Sequence, residues 1–358
     1  MDASFGVWSR RSGGGRRSLL ALVLGVLVAA ACVAPSGQAT PAPSSTPAAS
    51  APAATLASPS PSPSPSPAVA YPLELTDDEG NAVVLEAEPR RIVSLTPATT
   101  EILFALGAGD RVVATTDFDD YPPEAVPLPD VATYTSVDVE KIVGLDADLV
   151  IAGGNNFNDP DALARLRSLG IPVLVVYAPD IATVLRDIEL IGRAVGRAAE
   201  AATLVAWMRA EFERVAVATA GLPKPRVFYE LDATTDIYGP ADDSFLEEMI
   251  RLAGGDPLTT GSPTVFSIPL EKLVAADPEV IVLGDANYGV TPEQVAARPG
   301  WGSMTAVKRM AIRPVDDIVV TRPGPRLVEG LRALALAIHP DLALPSPAPV
   351  PSLAPAGG

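Results

Sequence analysis

Reactive side chains are scarce in this sequence, and the scarcity excludes several chemistries. The 358 residues hold one cysteine, Cys32, and one histidine, His339. A zinc site of Cys and His ligands, a disulfide and a Cys-His nucleophile all need more, and a Ser-His-Asp triad would have to use His339. That histidine precedes Pro340 at the end of an apolar periodic segment, where it suits a helix terminus. The remaining acid-base candidates are carboxylates. Asp117, Asp119, Asp120 and the pair Asp242-Asp243 could serve a secreted hydrolase, but acidic loops more often are solvated surface or helix caps. Gly153-Gly154-Asn155-Asn156 follows an apolar run, yet it lacks the dinucleotide fingerprint and the Lys-Ser/Thr of a phosphate loop. It reads as a turn that ends a strand.

The second kind of chemistry is non-covalent. Aromatic residues make up only 5% of the chain. Even so, the segments after the apolar runs collect Phe118, Tyr134, Asn155, Phe157, Tyr177, Tyr238, Phe266, Tyr288 and Arg322. In open α/β sheets ligands gather outside the carboxyl ends of strands, so these residues are candidates for one cleft. Flat aromatic faces suit a macrocyclic or catecholate ligand, and Arg322 would donate hydrogen bonds to a carbonyl or anionic group on it.

The elements that must hold these residues follow from hydrophobic patterning. Tyr71–Thr76 and Ala82–Glu86, either side of Asp77-Asp78-Glu79-Gly80, predict a hairpin. Strands at Arg91–Leu95, Arg111–Thr115, Leu149–Ala152 and Val173–Val176 alternate with helices, including Pro97–Leu106 and one started by Asp159-Pro160 and stopped by Gly170. Such alternation argues a parallel sheet. From Ile181 to Thr219 two helices follow in succession; the second, Ala198–Thr219, would be about 33 Å long. Alternation then resumes with strand Arg226–Leu231, helix Ser244–Ala253, strands Val280–Leu283 and Val315–Val320, and helix Pro325–Ile338.

An ungapped repeat links the two halves. Val139–Ile151 matches Leu270–Val282, each beginning a short helix with Glu-Lys and passing an acidic turn into an apolar strand. The expected domains are residues 71–180 and 223–344, two α/β lobes each with a mainly parallel sheet, joined through a helical bridge at 181–222.

The ends of the chain point to export. Four Arg precede the thirteen apolar or Gly residues Leu19–Ala31, too few for a span of about 20 but suited to a signal peptide over residues 1–31. Cys32 follows directly, as the lipidated residue of a lipoprotein does, and the charge-free, Pro/Ser-rich residues 32–70 would be an extended tether. The Pro-rich end, 345–358, is expected to lack structure. The formal charge is −17, and removing the signal segment leaves 22 basic and 42 acidic residues. Such a surface repels phosphate backbones and excludes nucleic acid as partner.

Taken together, Arg91–Glu101, Asp120-Tyr121-Pro122-Pro123-Glu124, both Glu-Lys repeats, Pro299-Gly300-Trp301 with Ala306-Val307-Lys308, and Arg322-Pro323-Gly324-Pro325-Arg326 resemble the substrate-binding proteins of ABC importers for vitamin B12 and ferric siderophores. The resemblance covers Tyr71–Asp341 and implies two lobes rigidly joined by one long helix, with the ligand in the cleft between. It implies no enzyme and no resident cofactor or metal: a monomer, lipid-anchored outside the cell membrane, would deliver its ligand to a permease dimer driven by ATPase subunits. The ligand would be a cobalamin-type corrinoid, with a ferric siderophore or haem as alternatives. Phe118, Tyr134, Phe266 and Arg322 match cleft-lining positions, while Glu140 and Glu271 match the carboxylates that dock on the permease. The lone histidine separates the chain from related zinc and manganese binders.

Overall fold

The computed structural model describes residues 70–351. The expected signal peptide, Cys32, almost all of the tether and the last seven residues lie outside them. Strands β1 (Leu73–Thr76) and β2 (Ala82–Leu85) form the antiparallel hairpin. Its turn is closed by the Asp77 carboxylate, which accepts from the Glu79 and Asn81 amides at 3.1 and 2.7 Å. Gly80 takes φ = 82°, a conformation that costs a residue with a Cβ.

The first large sheet has the order β6-β5-β4-β3-β7-β8, and only the β5–β6 pairing is antiparallel. It comprises β3 (Ile92–Ser94), β4 (Val112–Thr116), β5 (Asp130–Thr133), β6 (Ser136–Val137), β7 (Leu149–Gly153) and β8 (Val173–Val176). Helices α1 (Pro97–Ala105), α2 (Val139–Gly144) and α3 (Pro160–Ser168) connect its strands. α1 opens with Thr96 as N-cap and Pro97 at its first position, and α3 repeats the device with Asp159 and Pro160. Ile92, Leu149, Val150 and Ile151 are fully buried, as expected for strands covered on both faces.

α4 (Ile181–Ala194) and α5 (Ala198–Thr219) follow, separated by Gly196 at φ = 67°. The bounds of α5 are those its apolar spacing predicted. A single hydrophobic core runs from Ile92 and Leu149 through Ile188, Leu204 and Met208 to Val227, Val282 and Leu331. Each such fully buried side chain contributes about 1.5–3 kcal/mol. The two sheets therefore share one apolar interior along these helices.

The second sheet is all parallel, in the order β10-β9-β11-β12: β9 (Arg226–Glu230), β10 (Asp256–Pro257), β11 (Val280–Leu283) and β12 (Ile312–Pro314). Around it lie α6 (Phe245–Leu252), α7 (Leu270–Ala276), α8 (Pro292–Ala296), α9 (Thr305–Lys308), α10 (Asp317–Thr321) and α11 (Leu327–Ile338). One expected strand is not formed. The β-branched run predicts a strand over Val315–Val320, but most of it belongs to α10. Asp316 caps that helix by accepting from the Ile318 amide at 3.1 Å, and Asn287 accepts from the Asp317 amide. The caps and the burial of Val319 and Val320 override strand propensity.

The beginning of the C-terminal Pro-rich segment is held by the fold. The Trp207 indole donates to the Ala348 carbonyl at 3.1 Å, and the Ala348 amide donates to Glu211 at 3.0 Å.

Candidate functional site

The loops at the carboxyl edge of the first sheet present an aromatic cluster. Phe118 leaves β4, Tyr134 joins β5 to β6, and Phe157 follows β7. Their ring centroids lie 6.5 Å (Phe118–Tyr134), 6.4 Å (Phe118–Phe157) and 6.2 Å (Tyr134–Phe157) apart, all edge to face. Tyr134 is 69% exposed and Phe157 43%, values high for groups that hold so much apolar area. Local polar bonds fix each loop. Asp119 accepts from the Thr116 amide at 2.9 Å and hydroxyl at 2.5 Å, and burial pushes its carboxyl above the usual range. Asn155 and Asn156 both take left-handed φ, 54° and 59°, and Asn158 accepts from the Gly153 amide while donating to the Leu95 carbonyl. Asn155 is thus exposed on the turn that carries Phe157. A cavity of about 280 Å³ opens beside Tyr134, Ser136, Asn156 and Phe157.

In the second half of the chain, Tyr238 bridges to Ser267, and the Gly239 amide donates to the Phe266 carbonyl at 2.8 Å. The two segments are therefore neighbours, with Phe266 39% exposed. Tyr288 ends a short turn that follows β11 and is 69% exposed. Beneath these loops the chemistry is acidic. Glu230 and Asp285 are buried at the ends of β9 and β11, and Arg298 reaches Glu230 at 2.6 Å. Neither Asp285 oxygen has a donor from another residue among the described residues. Burial, together with the Glu230 charge, pushes its carboxyl up to about 7, so a proton shared with Glu230 accounts for both facts. Tyr229 donates to Asp317 at 2.8 Å, and burial raises both groups.

Arg322 joins the two sides. Its Nη1 donates to Glu101 of α1 and to Asp120 of the β4 loop, each at 2.8 Å. Among the described residues no other hydrogen bond occupies this guanidinium, which leaves Nε and Nη2 as donors. Arg322 thus divides its donors: Nη1 holds two carboxylates of the first lobe, while Nε and Nη2 remain. The other expected acids are also placed: Asp242 accepts from the Gly261 amide, a loop closure. Glu101 is the residue that sequence pattern alone does not single out, although a charged side chain with 1% exposure inside a helix of small and apolar residues is the signal that marks it.

Glu140 and Glu271 stand in the first turns of α2 and α7, both exposed. Neither forms a hydrogen bond or ion pair among the described residues. Each helix leads into a buried strand, α2 into β7 and α7 into β11. A cavity of about 360 Å³ between Lys224, Glu279, Arg309 and His339 lies at the opposite, amino edge of the second sheet. It has no part in this arrangement. Among the described residues no group of three or more His, Cys, Asp or Glu is placed to hold a metal ion.

Comparison with known proteins agrees with this architecture. Residues 92–317 match the family described as periplasmic binding protein. The chain is 35% identical over 276 residues to an uncharacterized ABC transporter substrate-binding lipoprotein, YvrC, of Bacillus subtilis, covering 76% of this chain and 87% of that one. It is 32% identical over 284 residues to a cobalamin-binding protein of Halobacterium salinarum, covering 75% of each. Among solved structures, the apo periplasmic heme-binding protein RhuT of Roseiflexus sp. RS-1 superposes with a TM-score of 0.62 at 27% identity, over 70% of this chain and 98% of that one. Two mainly parallel sheets, a shared helical core and this match together make the chain a member of the periplasmic binding protein family.

Proposed function

We propose that this chain is the substrate-binding component of an ABC importer, capturing a cobalamin-type corrinoid and delivering it to a membrane permease. The observation that carries the ligand class is the cluster of half-buried Phe118 with exposed Tyr134 and Phe157, a set of flat apolar faces wide enough for a macrocycle. The 32% identity to a cobalamin-binding protein supports the same class. Tyr238, Phe266 and Tyr288 would cover the ligand from the second lobe, Asn155 would bond its polar edge, and the open donors of Arg322 would meet a carbonyl or anionic group. In this reading 71–180 and 223–344 are the lobes and 181–222 the bridge. The protein acts by binding and not by catalysis.

Glu140 and Glu271, one per lobe at equivalent helix starts, would dock on cationic sockets of a two-fold permease whose ATPase subunits supply the energy. A monomer exported and anchored through lipid on Cys32 fits this task, with residues 32–70 as tether. Haem is the second reading, favoured by the match to a heme-binding structure and by the exposed phenol of Tyr134, a group able to ligate haem iron. A ferric siderophore would use the same aromatic faces. Incubation with cyanocobalamin, haemin or a ferric catecholate, followed by desalting and a visible spectrum, separates the three. Co-elution of cyanocobalamin alone is expected. Retention of haemin or the ferric complex in its place would reassign the ligand, and retention of none would remove the aromatic cluster as its site.

A further inference from the structure

Glu101 is buried to 1% side-chain exposure, yet it is met by two guanidinium groups from the last part of the chain. Arg326 binds it through two bonds, Nε to Oε2 at 2.9 Å and Nη2 to Oε1 at 2.6 Å, while Arg322 adds a third at 2.8 Å. The partners are 221 and 225 residues away in sequence. The same arginines reach a second first-half element: Arg322 pairs with Asp120, and the Arg326 guanidinium sits 4.2 Å from the Tyr121 ring centroid. The loop between them lies against α1: a Cβ built on Gly324 would be in ordinary contact, 3.7 Å, with the Ala98 carbonyl oxygen. All three charged side chains are at most 17% exposed, so separating the two surfaces would strand a buried carboxylate.

We propose that Glu101, Arg322 and Arg326 form a clasp that fixes the opening between the two lobes, with Glu101 also holding Arg322 in the position from which it donates to the ligand. Glu101 and Arg326 are positioning residues; neither needs to touch the ligand. The shared apolar core along α4, α5 and α11 holds one side of the molecule, and the clasp adds a polar, directional restraint at the meeting of α1 with the loop entering α11. Bidentate arginine–carboxylate geometry gives such a restraint a defined angle as well as strength. The ligand-holding part of this inference rests on the binding function proposed above; the restraint on the lobes does not.

The test measures the lobe separation directly. In full-length chain carrying Cys32→Ser, spin labels at Ala164→Cys on α3 and Arg309→Cys beyond α9 report the distance distribution by pulsed electron spin resonance, without and with cyanocobalamin. In the ligand-free parent a narrow distribution is expected. Glu101→Gln and Arg326→Gln broaden it toward longer distances, and cyanocobalamin leaves both variants about tenfold faster than the parent. Arg326→Gln decides the matter if Glu101→Gln does not fold, because Glu101 then keeps Arg322. Unchanged distributions in a folded Arg326→Gln variant overturn the clasp. Broadened distributions in a protein whose parent does not retain cyanocobalamin uphold the clasp and count against the ligand reading alone.

Discussion

In both lobes a short helix led by Glu-Lys runs into a buried strand, and an arginine at the start of the neighbouring strand closes the joint. Arg91 donates from Nε to the Leu145 carbonyl at 2.7 Å; Arg226 donates to the Ala276 and Asp277 carbonyls at 3.1 and 3.0 Å. Asp148 takes the Arg90 and Arg91 amides, as Glu279 takes that of Arg226. Ile142 and Leu273 are both fully buried, Asp146 and Asp277 both adopt left-handed φ, 50° and 48°, and each repeat lysine reaches a backbone carbonyl. The loops beyond these matching frames diverge. The first lobe presents three aromatic rings in contact, Tyr134 and Phe157 exposed and Phe118 half-buried; the second places buried Glu230 and Asp285 and half-buried Asp317 under more scattered aromatics. Under the proposed function one frame would serve two tasks. The repeated part suits a task common to both lobes, docking, and the divergent part suits the grip on an asymmetric ligand.

The comparison can be broken most severely through the docking pair. Glu140→Ala with Glu271→Ala should abolish uptake in cells while purified protein keeps its affinity for cyanocobalamin; normal uptake at normal expression would leave the matching helix starts without a shared role. The next largest effect belongs to the aromatic side. Removing a ring that a ligand buries costs about 1.5–3 kcal/mol, so Tyr134→Ala should weaken cyanocobalamin binding about ten- to a hundredfold. Titration calorimetry reads this loss.

The two left-handed aspartates sharpen the contrast within the frame itself. Asp277 accepts from the Thr305 amide and hydroxyl at 2.7 and 2.9 Å, whereas the side chain of Asp146 has no such bonds among the described residues. Glycine relieves the backbone conformation at both sites. Asp146→Gly should change stability by no more than about 1 kcal/mol, in the favourable direction, while Asp277→Gly should lower the melting temperature. Equal effects would mean the copies are energetically alike.

A smaller effect tests the buried acids of the second lobe. The Asp285 carboxyl is raised from 3.8 to about 7 in the folded chain, so the folded state binds the extra proton in that window. Stability is fullest below it and falls as pH rises through it. Asp285→Asn keeps a donor for Glu230 and removes the titration, so its melting temperature should exceed that of the parent near pH 8 and equal it near pH 4. No pH dependence of the difference would mean that Asp285 stays ionised.

Much of the frame was legible because it depends on local pattern. The ungapped match of Val139–Ile151 to Leu270–Val282, the Pro and Asp starts of α1 and α3, and the full span of α5 all lie within one element or one turn. The two-residue strands β6 and β10 left no periodicity to read, and the β-branched run before Arg322 concealed α10 behind a strand-like pattern. The site was legible only as a collection of loops. Phe118, Tyr134 and Phe157 meet because β4, β5 and β7 end at one edge of a sheet, and the partners of Glu101 come from more than two hundred residues away. Such contacts are set by topology, which spacing along the chain does not encode.

The proposed function requires one cleft gripped from both lobes. Calorimetric titration of cyanocobalamin into the parent, Tyr134→Ala, Phe266→Ala and the double variant tests this directly. The prediction is that each single change weakens binding about tenfold or more and that the double variant loses at least as much as either. Undiminished affinity in Phe266→Ala, with loss confined to Tyr134→Ala, would contradict a two-sided site and place the ligand on the first lobe alone.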